Sequence, residues 1–548
     1  MADSLGKKIF WTTFNVVVGR DKKRHGHGDP TREVFETVVF VVVLVLMLKL
    51  FVAEAFVIPT GSMASSLWGD QIKVECPECG QDFPVSAASS HGRPRNIPST
   101  VICQNCGTAF GPKNPNDWNS GDRVLVAKYE YHIRDPKRFD VPVFKYPEQP
   151  YHAGELTAMN YIKRLVGLPE ETIAIYKGDL YRTKALKYPD RKRPENMLDA
   201  WRLRWPEPLS AADREDPGTR GVGDGMFYIP SKDYTYTNDP DAIASFMKGE
   251  FEPVRKSPDE ILAMRRLVFD LEKQPKSLTG QLKTRWHPSP DSGTGWKDQE
   301  GGFHFNGSTL GWLRYQHVEY GWEKGRGQPN QPVEINDHLS YNSQLRGTNW
   351  VPDLLVECRA EFEAASDRLV LELTKAGEKF QAIFADGKCT LVRFPGGEPT
   401  AVTTMAETST KISSGRYDIR LANFDSRLTV WVDGNALDFG DKADYPSPNR
   451  KEFQRGEADL HEPARIGAQG NVTISKVQLW RDIYYTTGDV PQSGEIETHY
   501  VQPGHYFCMG DNSSASADGR SWGLVPERLM LGRAVVIYWP LSRIRVIK

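Results

Sequence analysis

The sequence predicts a mainly β protein. It has a single N-terminal transmembrane helix and then an antiparallel β body, split by a small four-cysteine insertion and a large β-sandwich insertion. Three observations predict this. The apolar run Val38-Val-Phe-Val-Val-Val-Leu-Val-Leu-Met-Leu48 follows a basic N-terminal tail. Short alternating runs bounded by turn residues recur along most of the chain. Two Cys-x-x-Cys pairs interrupt the first of these runs.

Residues 1–33 form the tail, with Lys7, Lys8, Arg20, Lys22, Lys23, Arg24 and Arg32. Residues 34–58 form the anchor, since about 20 apolar residues cross a hydrocarbon core. Lys49 is costly within that span unless it snorkels or faces protein. The positive charges ahead of the anchor hold the N-terminus in the cytoplasm. They make the protein single-pass in the cell membrane, with the body on its outer face. The alternative is a cleaved leader, because Ala53-Glu54-Ala55 fits a small-residue cleavage pattern. Against it stands a basic region too long for a leader. A net charge of −2 over 548 residues gives no electrostatic basis for a nucleic-acid partner.

The body starts with residues 59–75, where Gly69–Val74 alternates like a strand. It pauses for the four-cysteine stretch 76–112 and resumes over 113–182. Strand patterns there lie at Gly121–Lys128, Val141–Tyr146, Tyr161–Val166 and Thr172–Tyr176. Residues 183–302 are a Pro-, Arg- and Asp-rich linker with one predicted helix, Asp259–Glu272. Its Ile261, Met264, Leu267, Val268 and Leu271 share a face. Residues 303–482 read as a β-sandwich of short strands: Leu355–Phe362, Leu369–Leu373, Phe380–Phe384, Thr390–Phe394, Tyr417–Asn423 and Val472–Trp480. Its stretch Leu421–Gly434 resembles a late hairpin of laminin-G or concanavalin-like folds. Residues 483–548 complete the body. Long insertions in surface loops cost little, because closure entropy grows only logarithmically with length.

Three motifs carry the chemistry. Residues 56–67 read Phe-Val-Ile-Pro-Thr60-Gly-Ser62-Met-Ala-Ser-Ser-Leu, a bent turn that presents a serine. Residues 161–169 read Tyr-Ile-Lys163-Arg-Leu-Val-Gly-Leu-Pro. Residues 510–523 read Gly-Asp511-Asn512-Ser-Ser-Ala-Ser516-Ala-Asp518-Gly-Arg520-Ser-Trp-Gly. A serine hydroxyl needs a base, and none of the motifs contains a histidine. A lysine whose pKa falls on burial in an apolar strand can take that part.

Together the motifs resemble the boxes of type I signal peptidases, membrane-anchored Ser/Lys endopeptidases that cut signal peptides from secreted proteins. The resemblance covers roughly residues 35–75, 121–182 and 495–545. It implies an antiparallel β catalytic core, secretory preproteins as substrates, the lipid bilayer as a partner, and no cofactor for catalysis. By the same resemblance Ser62 is the nucleophile and Lys163 the general base. The Ser62 N–H and the Thr60 hydroxyl hold the oxyanion, and Ser516 orients the lysine, with Ser513 and Ser514 as alternatives. Asp518 and Arg520 form an ion pair, and Asp511 and Asn512 shape the loop. The chain departs from the pattern at Ser65-Ser66 in place of Pro-Thr and at Glu170-Glu171 in place of Gly-Asp. It also departs at Gly519 and in the uncharged Ser513-Ser-Ala.

Cys76, Cys79, Cys103 and Cys106 have the spacing of a zinc ribbon with a structural Zn²⁺, two disulfides being the alternative. Cys358, Cys389 and Cys508 stand apart; a Cys358–Cys389 disulfide is an open option. The sandwich offers a surface for carbohydrate or protein. Two rival functions follow from the same residues. One is a non-catalytic membrane-anchored adaptor on a degenerate core, in which Ser62→Ala changes nothing. The other is a specialised protease for an envelope protein, with the sandwich as its recognition module.

Overall fold

The structure is a computed structural model. It describes residues 30–47, 49, 52–87, 98–113, 117–145, 159–189, 236–276, 285–290, 295–318, 331–342, 347–398, 400–447, 453–488 and 496–548. The basic tail up to residue 29 and part of the linker, residues 190–235, lie outside the described residues.

Residues up to Glu54 form one unit and Ala55–Lys548 a second. The first contains the helix Pro30–Met47. Its large apolar residues from Val34 to Met47 are all exposed, so no polar face separates this helix from its surroundings. Among the described residues no helix is long and apolar enough to cross a membrane. The expected helix over 34–58 is therefore corrected. The observed helix spends its first turns on Thr31, Arg32, Glu33 and Glu36, and the apolar residues Ala53–Val57 form a strand instead.

The body is antiparallel in every recorded strand pair of its three core sheets, which makes it mainly β as expected. Strands Arg123–Ala127, Met530–Trp539, Pro142–Lys145 and Asn160–Ile162 lie side by side in one sheet, with Ala53–Val57 at its edge. Arg164–Gly167 leaves that sheet and pairs with His505–Met509 in another. Lys163 is thus the residue at which the chain changes sheets. A third sheet orders Glu252–Pro253, Asp179–Thr183, Thr172–Tyr176 and Ile496–Tyr500.

The large insertion builds a 13-stranded sheet, and each predicted sandwich strand lies inside one of its strands. Leu391 and Ala406 from one end of the strand order share an apolar cluster with Leu428 and Val430 from the other. The sheet therefore folds over a common core. The 18-residue strand Ala464–Arg481 joins the two halves.

The predicted helix Asp259–Glu272 is also corrected. A capping box at Ser257 and Glu260 starts a helix at Pro258, but it ends at Met264. Arg266–Asp270 then becomes a strand paired with Gln478–Arg481. Pairing to a distant strand overrides the local helical period there. Strands Arg266–Asp270 and Trp286–Pro288, read from sequence as linker, thus belong to the sheet of the insertion.

Candidate active site

The turn bearing Ser62 is built by close backbone approaches. A Cβ on Gly69 would lie 2.4 Å from the Thr60 carbonyl carbon, and one on Gly121 would lie 1.8 Å from the Ile58 oxygen. Ala64 N–H donates to the Gly61 carbonyl at 3.0 Å, and Leu67 N–H to that of Met63 at 2.8 Å, so the turn closes on itself. Met63 and Leu67 anchor it in an apolar cluster with Val124, Val126 and Val143.

Lys163 reaches this turn from the strand junction, and its Nζ donates to Ser62 Oγ at 2.6 Å. Lys163 is 3% exposed, and its Nζ lies 5.4 Å from the centre of the Tyr161 ring. Burial lowers its pKa to about 8; the negative charge of Asp518 opposes that shift and Arg520 favours it. The oxygen and nitrogen are thus in contact, and the nitrogen loses its proton far more readily than an exposed lysine does.

The third motif wraps the same turn. Asn512 N–H donates to the Ser62 carbonyl at 3.0 Å, and its side chain donates to the Gly61 carbonyl at 2.9 Å. Asp511 forms a buried ion pair with Arg164 at 2.6 Å, tying the loop to the strand that carries Lys163. Asp518 and Arg520 pair at 2.7 Å, and Asp518 also accepts the Gly510 N–H. Ser513 sits in that network, accepting from Arg520 at 2.9 Å and from the Thr486 N–H at 2.9 Å. Ser514 is exposed. Ser516 Oγ is buried and has no hydrogen-bond partner among the described residues. It lies 2.2 Å from where a Cβ on Gly510 would sit, the same point being 2.5 Å from the Ser62 carbonyl. Thr60 is exposed, two residues before the serine.

The departures from the expected motif have local explanations. Glu170 has φ 63°, a left-handed backbone that favours glycine. Glu171 is buried, accepts the Leu168 N–H at 2.7 Å and pairs with Arg138 at 2.8 Å. Its carboxylate thereby caps the turn that follows Lys163.

Sequence reasoning missed residues from the insertions. Arg266 donates to the Ala64 carbonyl at 3.2 Å, Tyr341 accepts the Gly69 N–H, and Asn342 pairs with the Asn512 side chain. They belong to no motif, and no periodic signal in the sequence sets them apart.

The four paired cysteines converge. Cys76 and Cys106 Sγ are 3.6 Å apart, as are Cys79 and Cys103. All four sulfurs lie within 4.8 Å of one another and all are free thiols. A disulfide needs about 2.05 Å, whereas a tetrahedral Zn–S shell spaces its sulfurs by about 3.8 Å. The donor set therefore fits a tetrahedral metal. Gly80 and Gly107, at φ 68° and 73°, donate back to the Cys76 and Cys103 carbonyls and form the two knuckle turns. Cys358, Cys389 and Cys508 are buried and unpaired.

Residues 113–230 and 428–539 match the family described as signal peptidase, peptidase S26. Lys163 and the Asp511–Arg520 loop fall inside these segments, and Ser62 lies ahead of them. Thylakoidal processing peptidase 1 of Arabidopsis thaliana is 41% identical over 54 residues, 10% of this chain and 16% of the relative. Signal peptidase I of Haemophilus influenzae is 36% identical over 74 residues, 13% of this chain and 20% of the relative. Signal peptidase I of Leptolyngbya laminosa is 29% identical over 112 residues, 17% of this chain and 55% of the relative. The chain thus spans well under two thirds of each of these. Among solved structures, the carbohydrate binding module CBM66 from Bacillus subtilis is 12% identical. That alignment covers 36% of this chain and 94% of the module, and its TM-score of 0.23 carries no argument. Over residues 113–230 and 428–539 this chain is similar to the family described as signal peptidase, peptidase S26.

Proposed function

We propose that this chain is a signal peptidase I-like serine endopeptidase that removes signal peptides from translocated preproteins through a Ser62–Lys163 dyad. The observation that supports it most is the 2.6 Å contact between Lys163 Nζ and Ser62 Oγ at a buried amine of lowered pKa. The neutral amine takes the hydroxyl proton while Oγ attacks the scissile carbonyl carbon. The Ser62 N–H and the Thr60 hydroxyl donate to the oxyanion. The ammonium returns its proton to the departing amine, leaving an acyl-enzyme on Ser62. Lys163 then deprotonates a water that hydrolyses the ester, and Ser62 recovers its proton. The Asp518–Arg520 pair and Asp511 hold the loop around the amine. Cleavage follows a small residue.

The proposed setting is the outer face of the cell membrane, with the apolar part of the helix Pro30–Met47, from Val38 onward, against lipid and the N-terminus in the cytoplasm. Zn²⁺ on Cys76, Cys79, Cys103 and Cys106 serves structure alone, and the inserted sheet offers a surface to carbohydrate or protein. The test is cleavage of a preprotein with an Ala-x-Ala site by the detergent-solubilised chain. Wild type is expected to cut after the second alanine, with Ser62→Ala and Lys163→Ala both inactive. Equal behaviour of all three, on envelope proteins too, sinks the proposal and favours the adaptor.

A further inference from the structure

The nucleophile turn is held in part by residues that no peptidase motif supplies. Segment 331–342 of the large insertion brings Tyr341 and Asn342 against residues 61–70. The Asn342 side-chain amide donates to Asn512 Oδ1 at 2.8 Å, and Asn512 Nδ2 donates back to Asn342 Oδ1 at 2.7 Å. The second Nδ2 proton of Asn512 goes to the Gly61 carbonyl at 2.9 Å. Both side-chain amide hydrogens of Asn512 are thereby used, one on Asn342 and one on Gly61.

The Gly61 carbonyl and the Ser62 N–H belong to one peptide unit. Gly61–Ser62 is not among the cis bonds of the chain, so the unit is trans and planar and its C=O and N–H point in opposite directions. Fixing the carbonyl toward Asn512, alongside the Ala64 N–H that it also accepts, therefore fixes the Ser62 N–H to point the opposite way, away from Asn512. Tyr341 braces the same unit from its side. Its ring fills the position where a side chain at residue 61 would begin, with Cε1 2.1 Å from an added Cβ. Its hydroxyl accepts the Gly69 N–H at 3.1 Å. Tyr341 is buried in a cluster with Ala64 and Leu339.

We infer that Asn342 and Tyr341 are positioning residues for the oxyanion site, setting the direction of the Ser62 N–H through Asn512 and the Gly61–Ser62 peptide plane. The inference rests on the proposed peptidase activity. It makes the large insertion part of the catalytic geometry rather than an appended module. Removing an oxyanion donor outright costs about 10²–10³ in kcat. Misaiming one costs less, about tenfold.

The test compares wild type, Asn342→Ala, Asn512→Ala, their double variant and Tyr341→Phe in preprotein cleavage. Amide hydrogen exchange across residues 60–70 is measured by mass spectrometry on the same full-length samples. Asn342→Ala is expected to lower kcat about tenfold and leave KM within about twofold. The pH midpoint set by Lys163 stays in place, and exchange over the turn speeds up. Adding it to Asn512→Ala costs nothing further, because both act on one peptide plane. Tyr341→Phe, which removes a single oxygen, is expected to speed exchange at the turn if Asn342→Ala proves too unstable to purify. Unchanged exchange, an unchanged kcat, or a loss carried by KM or by a moved pH midpoint overturns the inference. An inactive wild type overturns the peptidase reading instead, and the exchange data alone then decide whether the clamp exists.

Discussion

The Lys163 amine is nearly stripped of water, and two consequences differ in sign. Its folded pKa lies near 8, below the ordinary 10.5. As a base it must be neutral, so kcat/KM is expected to rise with pH through about 8 and then level off; a profile flat from pH 6 to 9 argues against Lys163 as the base. For stability, the folded chain binds fewer protons than the unfolded chain between about pH 8 and 10.5, so stability grows with pH across that window. Below pH 8 the full penalty applies, on the order of 3 kcal/mol. Lys163→Met is therefore expected to abolish cleavage yet raise Tm at pH 7 by a few degrees, a gain that shrinks by pH 10. Thermal scans at both pH values check it. Glu170 offers a quieter test. With φ at 63°, Glu170→Gly is expected to leave the fold intact or stabilise it by up to about 1 kcal/mol.

At the scale of elements, the four-cysteine module is a rivet. The Asn105 side chain donates to the Lys273 carbonyl at 2.6 Å and accepts the Asp270 N–H at 3.0 Å. Buried Arg285 donates to the Asn105 carbonyl at 2.6 Å, and Lys273 Nζ to that of Gly80 at 3.0 Å. The cysteine loops thereby pin the strand Arg266–Asp270 at the start of the inserted sheet. If the four cysteines hold the proposed Zn²⁺, a strong chelator or Cys103→Ser is expected to lower Tm by several degrees and expose residues 266–276 to protease. Metal analysis with limited proteolysis checks both. These elements also show what the sequence could reveal. Alternation made the strands of the insertion readable, and the motifs pointed to Ser62 and Lys163 although they lie 101 positions apart in the chain. Leu267, Val268 and Leu271 fit a helical face as well as they fit a strand. Only pairing with the distant Gln478–Arg481 decides between the two. Asn342 was unreadable for a different reason: its role comes from a pairing with Asn512, 170 positions away, and amide pairs leave no pattern in a sequence.

Across the whole body, buried charges join parts far apart in the chain. Lys256, from the linker, pairs with Asp425 at 2.8 Å and Asp482 at 2.7 Å. Lys375 of the insertion pairs with Asp353 and reaches Asp179 of the core at 3.7 Å. Breaking such a pair on one side leaves uncompensated buried carboxylates and costs about 3–5 kcal/mol. Lys256→Met is thus expected to lower the midpoint of urea unfolding markedly, with core and insertion lost in one transition. Two separate transitions would mean that the insertion is an independent domain. Excision of residues 303–482 is correspondingly expected to yield an insoluble core rather than a leaner peptidase. The strand Ala464–Arg481 gives this interdependence a direction in time. It pairs with Arg266–Asp270, Gly302–Tyr315, Leu354–Phe362 and Arg368–Lys375, all made before it. The nascent chain must therefore keep one edge of each of these four strands, spread over residues 266–375, unpaired and open to aggregation until that late segment is made. The enzyme proposed to mature other exported proteins would itself be among the slowest of them to finish folding, and among the most dependent on holding chaperones as it arrives.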